Sequence, residues 1–297
     1  MKITYIYHSG FLVESADAYY IFDYYRADFP VTDADKPVYV FVSHRHPDHY
    51  NPYVFEILRE KKVRRMVGII SYDIKPRNYT SHMEGVEIIA AEPDKEYTLD
   101  NGARVRTLRS TDKGVAYVVT FDDGGVTRSV YHAGDLNDWV WDGEDERMNK
   151  WMTGSYRRYL MPVEGMHFDA VMVPVDSRQG DDMFRGIEYL LEKVKADAVY
   201  PMHYWDKPEV IIQFAKKYPQ YADIIRYTED RMDRYSVIED KNPREIVLLR
   251  GSGCVYKKCT FCDYYSDSGR DEDVNYMINR AALSQVTGKY GNIEIIN

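Results

Sequence analysis

Three histidines and one aspartate fall within six consecutive positions, His44 to His49, of the stretch SHRHPDHYNP. His44 and His46 are two residues apart on an extended segment, so both imidazoles can reach one point. Asp48 and His49 follow the turn at the proline and can reach a neighbouring point. Two nitrogen donors beside an oxygen and a nitrogen donor suit a centre of two metal ions. A polar loop with accidental histidines is the alternative, and the restrictive spacing H-x-H-x-D-H disfavours it.

The elements around this loop place it at the end of a strand. VYVFVSH has the continuous apolar pattern of a strand buried on both faces, and the strand ends at Ser43. NPYVFEILREKK follows as a predicted helix, with Asn51 as its cap and Pro52 in its first turn. Short strands fill the rest of the first half, and strands alternate with helices after Asp135. This order is compatible with two sheets packed together under helices.

The amino-acid composition limits the classes of protein to which the chain can belong. Of the 297 residues, 44% are hydrophobic, which allows a well-developed core and argues against disorder. The net charge of −9 disfavours sequence-independent binding to nucleic acid. The chain has no apolar run of about 18 residues and no secretory layout at its start, so no membrane span is expected. The three cysteines cluster between positions 254 and 262, which argues against a disulfide framework and for a cytoplasmic setting.

The segment HRHPDH is similar to the metal-binding signature of the metallo-β-lactamase superfamily of hydrolases. The resemblance covers about residues 1–235 and includes Asp23 after an early strand, Asp135 in HAGD and His203 in PMH. It implies an αββα sandwich, an α/β fold with the metals at one edge between the sheets. The implied ligands are His44 and His46 for the first metal, Asp48, His49 and His203 for the second, and Asp135 for both. A water or hydroxide between the metals would be the nucleophile, so Asp48 and Asp135 are predicted to serve catalysis as well as metal binding.

One ligand of the superfamily pattern is missing. The first metal usually receives a further histidine from a loop between His49 and Asp135, but the corresponding segment reads RSTDKGVAYVV. Asp112 is the best replacement by chemistry, because carboxylates bind hard divalent ions well. The alternative is that Asp112 caps a turn before Gly114. An oxygen-richer first site makes manganese or iron credible beside zinc.

A second departure concerns His8 in YHSGFLVE. The branch of the superfamily that resembles ascorbate-6-phosphate lactonases often opens with a similar stretch, so His8 is predicted to be catalytic, as a ligand or as an acid beside the ligands. The polar end of a strand is the alternative. His132 lies three residues before Asp135, and in a strand this spacing puts the two side chains on opposite faces. His132 is therefore interpreted as a core or supporting residue.

The expected substrate is a small anionic molecule, by analogy with the lactonase-like branch. Arg178, in VPVDSRQGDD, is predicted to bind an anionic group together with Asp176, and a plain ion pair between the two is the alternative. Trp139 and Trp141 follow Asp135 closely and are predicted to form a wall of the pocket, with ordinary packing as the alternative. No stretch reports on subunit contacts, so the oligomeric state stays open.

The C-terminal part is interpreted separately: residues 1–240 as the hydrolase domain and 241–297 as a short, incomplete β/α appendage. Cys254, Cys259 and Cys262 form the pattern C-x4-C-x2-C, which suits an iron–sulfur cluster with one iron left open. The loop resembles the one that opens the barrel of radical S-adenosylmethionine enzymes, so the segment is interpreted as a truncated fragment of that family, with a [4Fe-4S] cluster as a candidate cofactor and no radical activity expected of this chain. A structural zinc site or three free thiols are the alternatives.

The predicted function is metal-dependent hydrolysis of an ester, lactone or phosphoester by a metal-bound hydroxide. A phosphodiesterase or nuclease is the first alternative, and the net charge disfavours nucleic acid as its substrate. A non-catalytic metal-binding module that serves a radical S-adenosylmethionine domain is the second, and the missing histidine is its best support.

Overall fold

A computed structural model describes residues 1–75, 81–228, 234–252 and 269–296. The chain divides into two compact units, Met1–Lys207 and Pro208–Asn297. The division lies before the predicted boundary at 240/241, so the helix that follows Pro208 belongs to the second unit. The assignment of 241–297 to a separate family stays a prediction. In the described part of the chain, no helix is long and apolar enough to cross a membrane.

The first sheet of the larger unit has six strands in the described residues, and they follow one another in chain order. The strands are β1 (Lys2–Tyr7), β2 (Gly10–Glu14), β3 (Tyr19–Phe22), β4 (Val38–Val42), β5 (Met66–Ser71) and β6 (Glu87–Ala91). β1 to β3 pair antiparallel, and β3 to β6 pair parallel. The predicted strand VYVFV is β4, and all five of its residues are buried.

The second sheet takes its strands from residues 96–202. The strands of this stretch are β7 (Glu96–Thr98), β8 (Arg104–Arg109), β9 (Val115–Asp122), β10 (Thr127–His132), β11 (His167–Phe168), β12 (Ala170–Pro174), β13 (Lys195–Ala196) and β14 (Val199–Met202). The sheet order is β14-β12-β10-β9-β8-β7, while β11 and β13 form a separate short pair. Asn101-Gly102 lies in the turn that joins the antiparallel pair β7/β8, and residues 122–124 lie in the turn that joins β9/β10.

Aromatic side chains join the two sheets face to face. The rings of Phe22 and His132 stack with centroids 5.0 Å apart, and those of Phe41 and Tyr117 meet edge to face at 5.1 Å. Each pair takes one residue from each sheet, so the interior between the sheets is aromatic. Such pairs contribute about 0.5–1.5 kcal/mol beyond the burial of their area.

Helices cover the outer faces of both sheets. They are α1 (Val54–Glu60), α2 (Glu146–Leu160) and α3 (Arg185–Lys193). α1 buries Phe55 and Leu58 in a cluster with residues of the first sheet, and burial of each such side chain contributes about 1.5–3 kcal/mol. α3 packs against β12, and the hydroxyl of Tyr156 in α2 donates to the carbonyl of Gly186 in α3. The predicted αββα sandwich is confirmed.

The second unit contains a small β/α/β arrangement. Its elements are α4 (Glu209–Lys217), β15 (Tyr235–Ile238), β16 (Arg244–Leu248), α5 (Glu272–Leu283) and β17 (Ile293–Ile296). β16 pairs antiparallel with β15 and parallel with β17. Asp271 caps α5 by accepting from the backbone N–H groups of Asp273 and Val274. The three cysteines predicted to hold a cluster lie outside the described residues.

Candidate metal centre

The polar residues of the site follow the carboxyl ends of five strands. Asp23 follows β3, Ser43 follows β4, Asp135 lies after β10, Asp176 after β12 and His203 after β14. β3 pairs parallel with β4, and β12 pairs parallel with both β10 and β14. Parallel neighbours end at the same edge of a sheet, and ligands bind there in open α/β sheets. Residues as far apart in sequence as Asp23 and His203, 180 positions, therefore meet at one edge of the sandwich.

Asp23 orients two of the histidines. Its Oδ2 lies 2.7 Å from Nδ1 of His49 and accepts a hydrogen bond of 2.6 Å from the hydroxyl of Ser43. The same hydroxyl oxygen lies 3.0 Å from Nδ1 of His44. Because the hydroxyl proton goes to Asp23, Ser43 accepts from His44, and both imidazoles carry their proton on Nδ1. Their Nε2 atoms are left with a free lone pair, as metal ligation requires.

His203 is oriented in the same way by another carboxylate. Its Nδ1 lies 3.0 Å from Oδ2 of Asp176, which is fully buried. Asp176 also accepts from Nε and Nη2 of Arg178. Burial opposes the charge of Asp176, but the bonds from His203 and Arg178 outweigh it and hold its pKa below the ordinary value. The carboxylate is therefore ionised, and Nε2 of His203 faces the other ligands.

Asp135 presents one carboxylate oxygen to each half of the site. Its Oδ2 lies 3.4 Å from Nε2 of His44, while its Oδ1 lies 3.2 Å from Nε2 of His49 and 3.5 Å from Nε2 of His203. Oδ1 of Asp135 and the Nε2 atoms of His44 and His49 are buried without a hydrogen-bond partner among the described residues. Buried polar atoms are otherwise paired in proteins. This unpaired set fits a cation, which Asp135 would hold together with His44 and His49.

The donors form two groups, and the ligand atoms within each group lie within 4.8 Å of one another. The first group is His44, His46, Asp112 and Asp135, and the second is His8, Asp48, His49 and His203. The structure thus brings together the residues predicted as metal ligands, and His8, predicted as a ligand or an acid, lies among the second group. Imidazole and carboxylate donors suit zinc, iron and manganese. The residues present therefore fit two divalent cations.

Asp112 stands in the sequence segment where the superfamily pattern has its further histidine. Its Oδ2 lies 3.3 Å from Nδ1 of His46, and burial together with the charge of Asp135 raises its pKa. Burial and the nearby charge of Asp135 both disfavour the ionised carboxylate of Asp112, and a bound cation would offset both effects. Gly114 adopts φ +69° in the following turn, so the turn is also present. The carboxylate, however, faces the donors, which favours the interpretation of Asp112 as a ligand.

His8 lies on the buried side of the second group. Its side chain is fully buried, its backbone has φ +59°, and Nε2 lies 3.2 Å from Oδ2 of Asp48. Neither ring nitrogen has a hydrogen-bond partner within the described ranges. Burial lowers the pKa of His8, so its imidazole is neutral and able to bind a metal. His8 is not part of the lining of the adjacent cleft, which favours a ligand over an acid in contact with substrate.

The net negative charge of the site also favours the binding of cations. Five carboxylates meet at this edge: Asp23, Asp48, Asp112, Asp135 and Asp176. With neutral histidines, Arg178 balances one of them and four negative charges remain, which two divalent cations would neutralise. Burial lowers the pKa of His49. The negative charges of Asp135 and Asp23 raise this pKa by a larger amount, so it lies well above its ordinary value. The field that draws a proton to His49 would equally stabilise a metal ion at Nε2.

A cleft of about 330 Å³ opens beside the donors. Its lining comprises His46, Asp48, Thr111, Asp112, Asp135, Trp139, Trp141, Met152, Arg178, His203 and Trp205. The predicted wall residue Trp139 and the predicted anion-binding residue Arg178 are both in the lining. Asp176 is not, since it lies buried behind Arg178 and His203, so it positions these two rather than contacting a substrate. Trp205 was missed, although its place two residues after His203 was an available signal.

The other histidines lie apart from the donors. Nε2 of His132 lies 2.8 Å from the carbonyl oxygen of Ser9, and the ring packs between the sheets, as expected for a supporting residue. His82 pairs with Glu56 and His167 with Asp197 on the surface.

Comparison with known proteins agrees with this geometry. Residues 2–148 match the model of the family described as the β-lactamase superfamily domain. Among functionally curated proteins, no sequence matches the chain.

Solved structures of low sequence identity resemble the chain. The metallo hydrolase Igni18 from the archaeon Ignicoccus hospitalis is 19% identical, with a TM-score of 0.47 over 75% of this chain and 93% of that one. An isothiocyanate hydrolase from Delia radicum gut bacteria is 15% identical, with a TM-score of 0.45 over 76% and 95%. The diiron β-hydroxylase CmlA from Streptomyces venezuelae is 11% identical, with a TM-score of 0.43 over 68% and 44%. None of these TM-scores reaches 0.5, so these likenesses carry no assignment of function. Residues 2–148, just under half of the chain, thus match the β-lactamase superfamily domain, and the sandwich and the donor set agree with that match.

Proposed function

We propose that the protein is a metal-dependent hydrolase that cleaves an ester, lactone or phosphoester bond of a small molecule. One observation carries the proposal: unpaired, buried imidazole nitrogens and both oxygens of Asp135 converge beside an open cleft. Two divalent cations at this centre, zinc, manganese or iron, would lower the pKa of a shared water and polarise the oxygen of the bond to be cleaved.

The chain's own residues supply orientation and shelter. Asp23 and Asp176 fix the tautomers of three ligating histidines, so the donors are aligned before a cation binds. Trp139 donates its indole N–H to the carbonyl oxygen of Asp135, which holds an apolar wall against the bridging residue. Such a wall excludes water from one side of the cleft and strengthens electrostatic interactions within it.

The anionic character of the substrate stays a prediction by analogy with lactonase-like proteins. Arg178 is the cation of the lining, but its charge is balanced by Asp176 in a bidentate pair. Hydrolysis therefore rests on the metal centre and not on a free cationic anchor.

The test compares turnover of a panel of lactones, phosphodiesters and thioesters by metal-loaded wild type, His46→Ala, Asp135→Ala and His167→Ala. His167 is a surface histidine outside the site and serves as the matched control. We expect wild type and the control to hydrolyse at least one class, and the two site variants to lose at least 100-fold in rate. Unchanged turnover in either site variant, with far-UV circular dichroism showing a folded protein, would contradict the proposal.

A further inference from the structure

Flat rings form one wall of the cleft beside the metal donors, where the ring centroid of Trp139 lies 5.5 Å from that of His203. Trp139, Trp141 and Trp205 line it, and they are three of the four tryptophans of the chain. The rings of Trp139 and Trp141 are parallel within 3°, with centroids 5.9 Å apart. The guanidinium of Arg178 lies 5.9 Å from the ring centroid of Trp141 and 5.3 Å from that of Trp205. A planar cation thus joins the indoles of the wall.

Several polar groups of this wall are already engaged, whereas Nε1 of Trp205 is buried without a hydrogen-bond partner among the described residues. The hydroxyl of Thr111 donates to the carbonyl oxygen of Asn137 at 2.6 Å and accepts from its backbone N–H at 3.0 Å. Nε and Nη2 of Arg178 donate hydrogen bonds to Asp176, so the positive charge of Arg178 is compensated. The indole N–H of Trp139 is bonded to Asp135. What remains for a ligand is mainly ring surface of Trp141 and Trp205, since Trp139 is only 7% exposed and stacks against Trp141.

The rings are also held in place before a ligand arrives. The side chain of Asn149 in α2 bonds both the backbone N–H and the carbonyl oxygen of Trp141. Trp205 has φ +56°, a left-handed conformation that is uncommon for a bulky residue and clusters at functional sites. A wall that is fixed in advance loses little side-chain entropy when a ligand binds.

We infer that the substrate carries a flat aromatic or conjugated group next to the bond that is cleaved, and that this group binds against the indoles of Trp139, Trp141 and Trp205. The inference rests on the proposed hydrolase function. A planar group contacts an indole face over its whole area, whereas a puckered aliphatic ring of equal size cannot. The volume of about 330 Å³ lies at the lower end of small-molecule pockets, so one such group and the reacting bond fill the cleft.

The test uses two inert ligands that share a metal-binding head. Benzohydroxamate and cyclohexanecarbohydroxamate differ in the flatness of the ring, and titration into the zinc-loaded protein by calorimetry and tryptophan fluorescence gives their Kd values. We expect the phenyl ligand to bind about 3- to 10-fold tighter, the range that aromatic pairing supplies beyond area. Trp141→Leu and Trp205→Leu should each bring the ratio toward one. Trp151→Leu should preserve the ratio, since Trp151 is 53% exposed on α2 and does not line the cleft.

Two results would overturn the inference. One is equal affinity of the two hydroxamates for the wild-type protein, which needs no variant to fold. The other is tighter binding of a cyclohexanecarbohydroxamate that bears an added carboxylate than of benzohydroxamate, because recognition would then follow charge. If neither hydroxamate binds, the metal centre fails instead, and saturation-transfer NMR with benzyl alcohol and cyclohexylmethanol tests the wall without any metal. Preference for benzyl alcohol supports the inference, and no preference overturns it.

Discussion

Nδ1 of His203 lies 3.0 Å from Oδ2 of the buried Asp176, and this contact decides which imidazole nitrogen faces the metal donors. A carboxylate only accepts hydrogen bonds, so the proton of His203 is held on Nδ1 and the lone pair on Nε2. Asp176 is held in turn by Arg178 at the rim of the cleft. The orientation of a ligand thus depends on a residue that contacts neither metal nor substrate.

Replacing Asp176 with Asn should weaken metal binding at the second group of donors. The neutral amide loses the charge that stabilises the Nδ1 proton of His203, and loss of such a partner typically reduces metal affinity about 10- to 100-fold. Calorimetric titration of the metal-free protein with Zn²⁺ measures the change. Arg178→Met is the matched control, because it removes the other partner of Asp176 and keeps the contact to His203. Equal losses in both variants would show that the ion pair, rather than the histidine contact, is what matters.

Removal of one donor from each group should separate two binding events. We expect the wild type to retain about two equivalents of metal after dialysis, since both groups offer at least three donors. Asp112→Ala should lose the weaker-binding equivalent of the oxygen-rich group. His8→Ala should reduce affinity at the nitrogen-rich group at least about 10-fold, because the neutral imidazole is fully buried among its donors. Metal content by mass spectrometry and Zn²⁺ titration report both effects.

The contrary outcomes differ for the two variants. A folded His8→Ala protein with two equivalents at unchanged Kd would make His8 a packing residue. An Asp112→Ala protein with full metal content would restore the interpretation of Asp112 as part of a turn before Gly114.

The donors of the loop from His44 to His49 were predictable from spacing because their determinants are local, whereas the sandwich and the distant donors Asp135 and His203 followed from the family resemblance. The apolar run of β4 and the spacing of His44, His46 and His49 lie within a dozen residues. The role of Asp176 depended on which residue lies beside it after folding. A chain that reads VDSR favours an Asp–Arg pair, but the contact with His203 arises only because β12 and β14 pair in parallel. Such long-range contacts are not encoded in any single stretch.

Whether Asp112 is a metal ligand or part of a turn also depends on a long-range contact, so the sequence left both interpretations open. A carboxylate two residues before a glycine is compatible with a turn and with a ligand, and the residue does sit at a turn. Its proximity to His46 is a property of the packed sheets. Trp205 was overlooked for a related reason, since an aromatic residue after a strand is usually core.

Gly114→Ala should disturb the histidine loop itself. A Cβ at this position would collide with the carbonyl oxygen of Ser43 and lie 2.7 Å from Cβ of His44, and φ is +69°. Left-handed strain alone contributes about 1 to 3 kcal/mol, and the collision adds to it. We expect a lower free energy of unfolding in urea together with weaker metal binding, because Ser43 and His44 must shift.

Gly125→Ala is the matched control for that experiment. Gly125 also has positive φ, at +89°, but a Cβ there meets nothing within 4 Å. This variant should show only the loss from strain, with metal affinity unchanged. If Gly114→Ala binds metal as tightly as Gly125→Ala does, close approach at Ser43 is not required for the centre.

The buried tyrosines predict unfolding at alkaline pH. Burial raises the pKa of Tyr20 to about 12, from an ordinary value of about 10, and burial also raises the pKa values of Tyr117, Tyr131 and Tyr156. Between pH 10 and 12 the folded protein keeps protons that the unfolded chain has released, so stability is full below pH 10 and falls as pH rises. Tyr20 alone should contribute a loss on the order of 2 kcal/mol by pH 12.

The measurement follows tyrosinate absorbance at 295 nm and far-UV ellipticity over the same titration. Exposed tyrosines should ionise first and gradually, and the buried ones should ionise in one steep step that coincides with the loss of ellipticity. Tyr20→Phe should move that step to higher pH, because a ring without a hydroxyl has no proton to lose. Tyr53→Phe, at a residue that is 43% exposed, should leave the step in place. Smooth ionisation of all tyrosines with ellipticity intact would mean that the sheet interior admits hydroxide without unfolding, contrary to the burial of these rings.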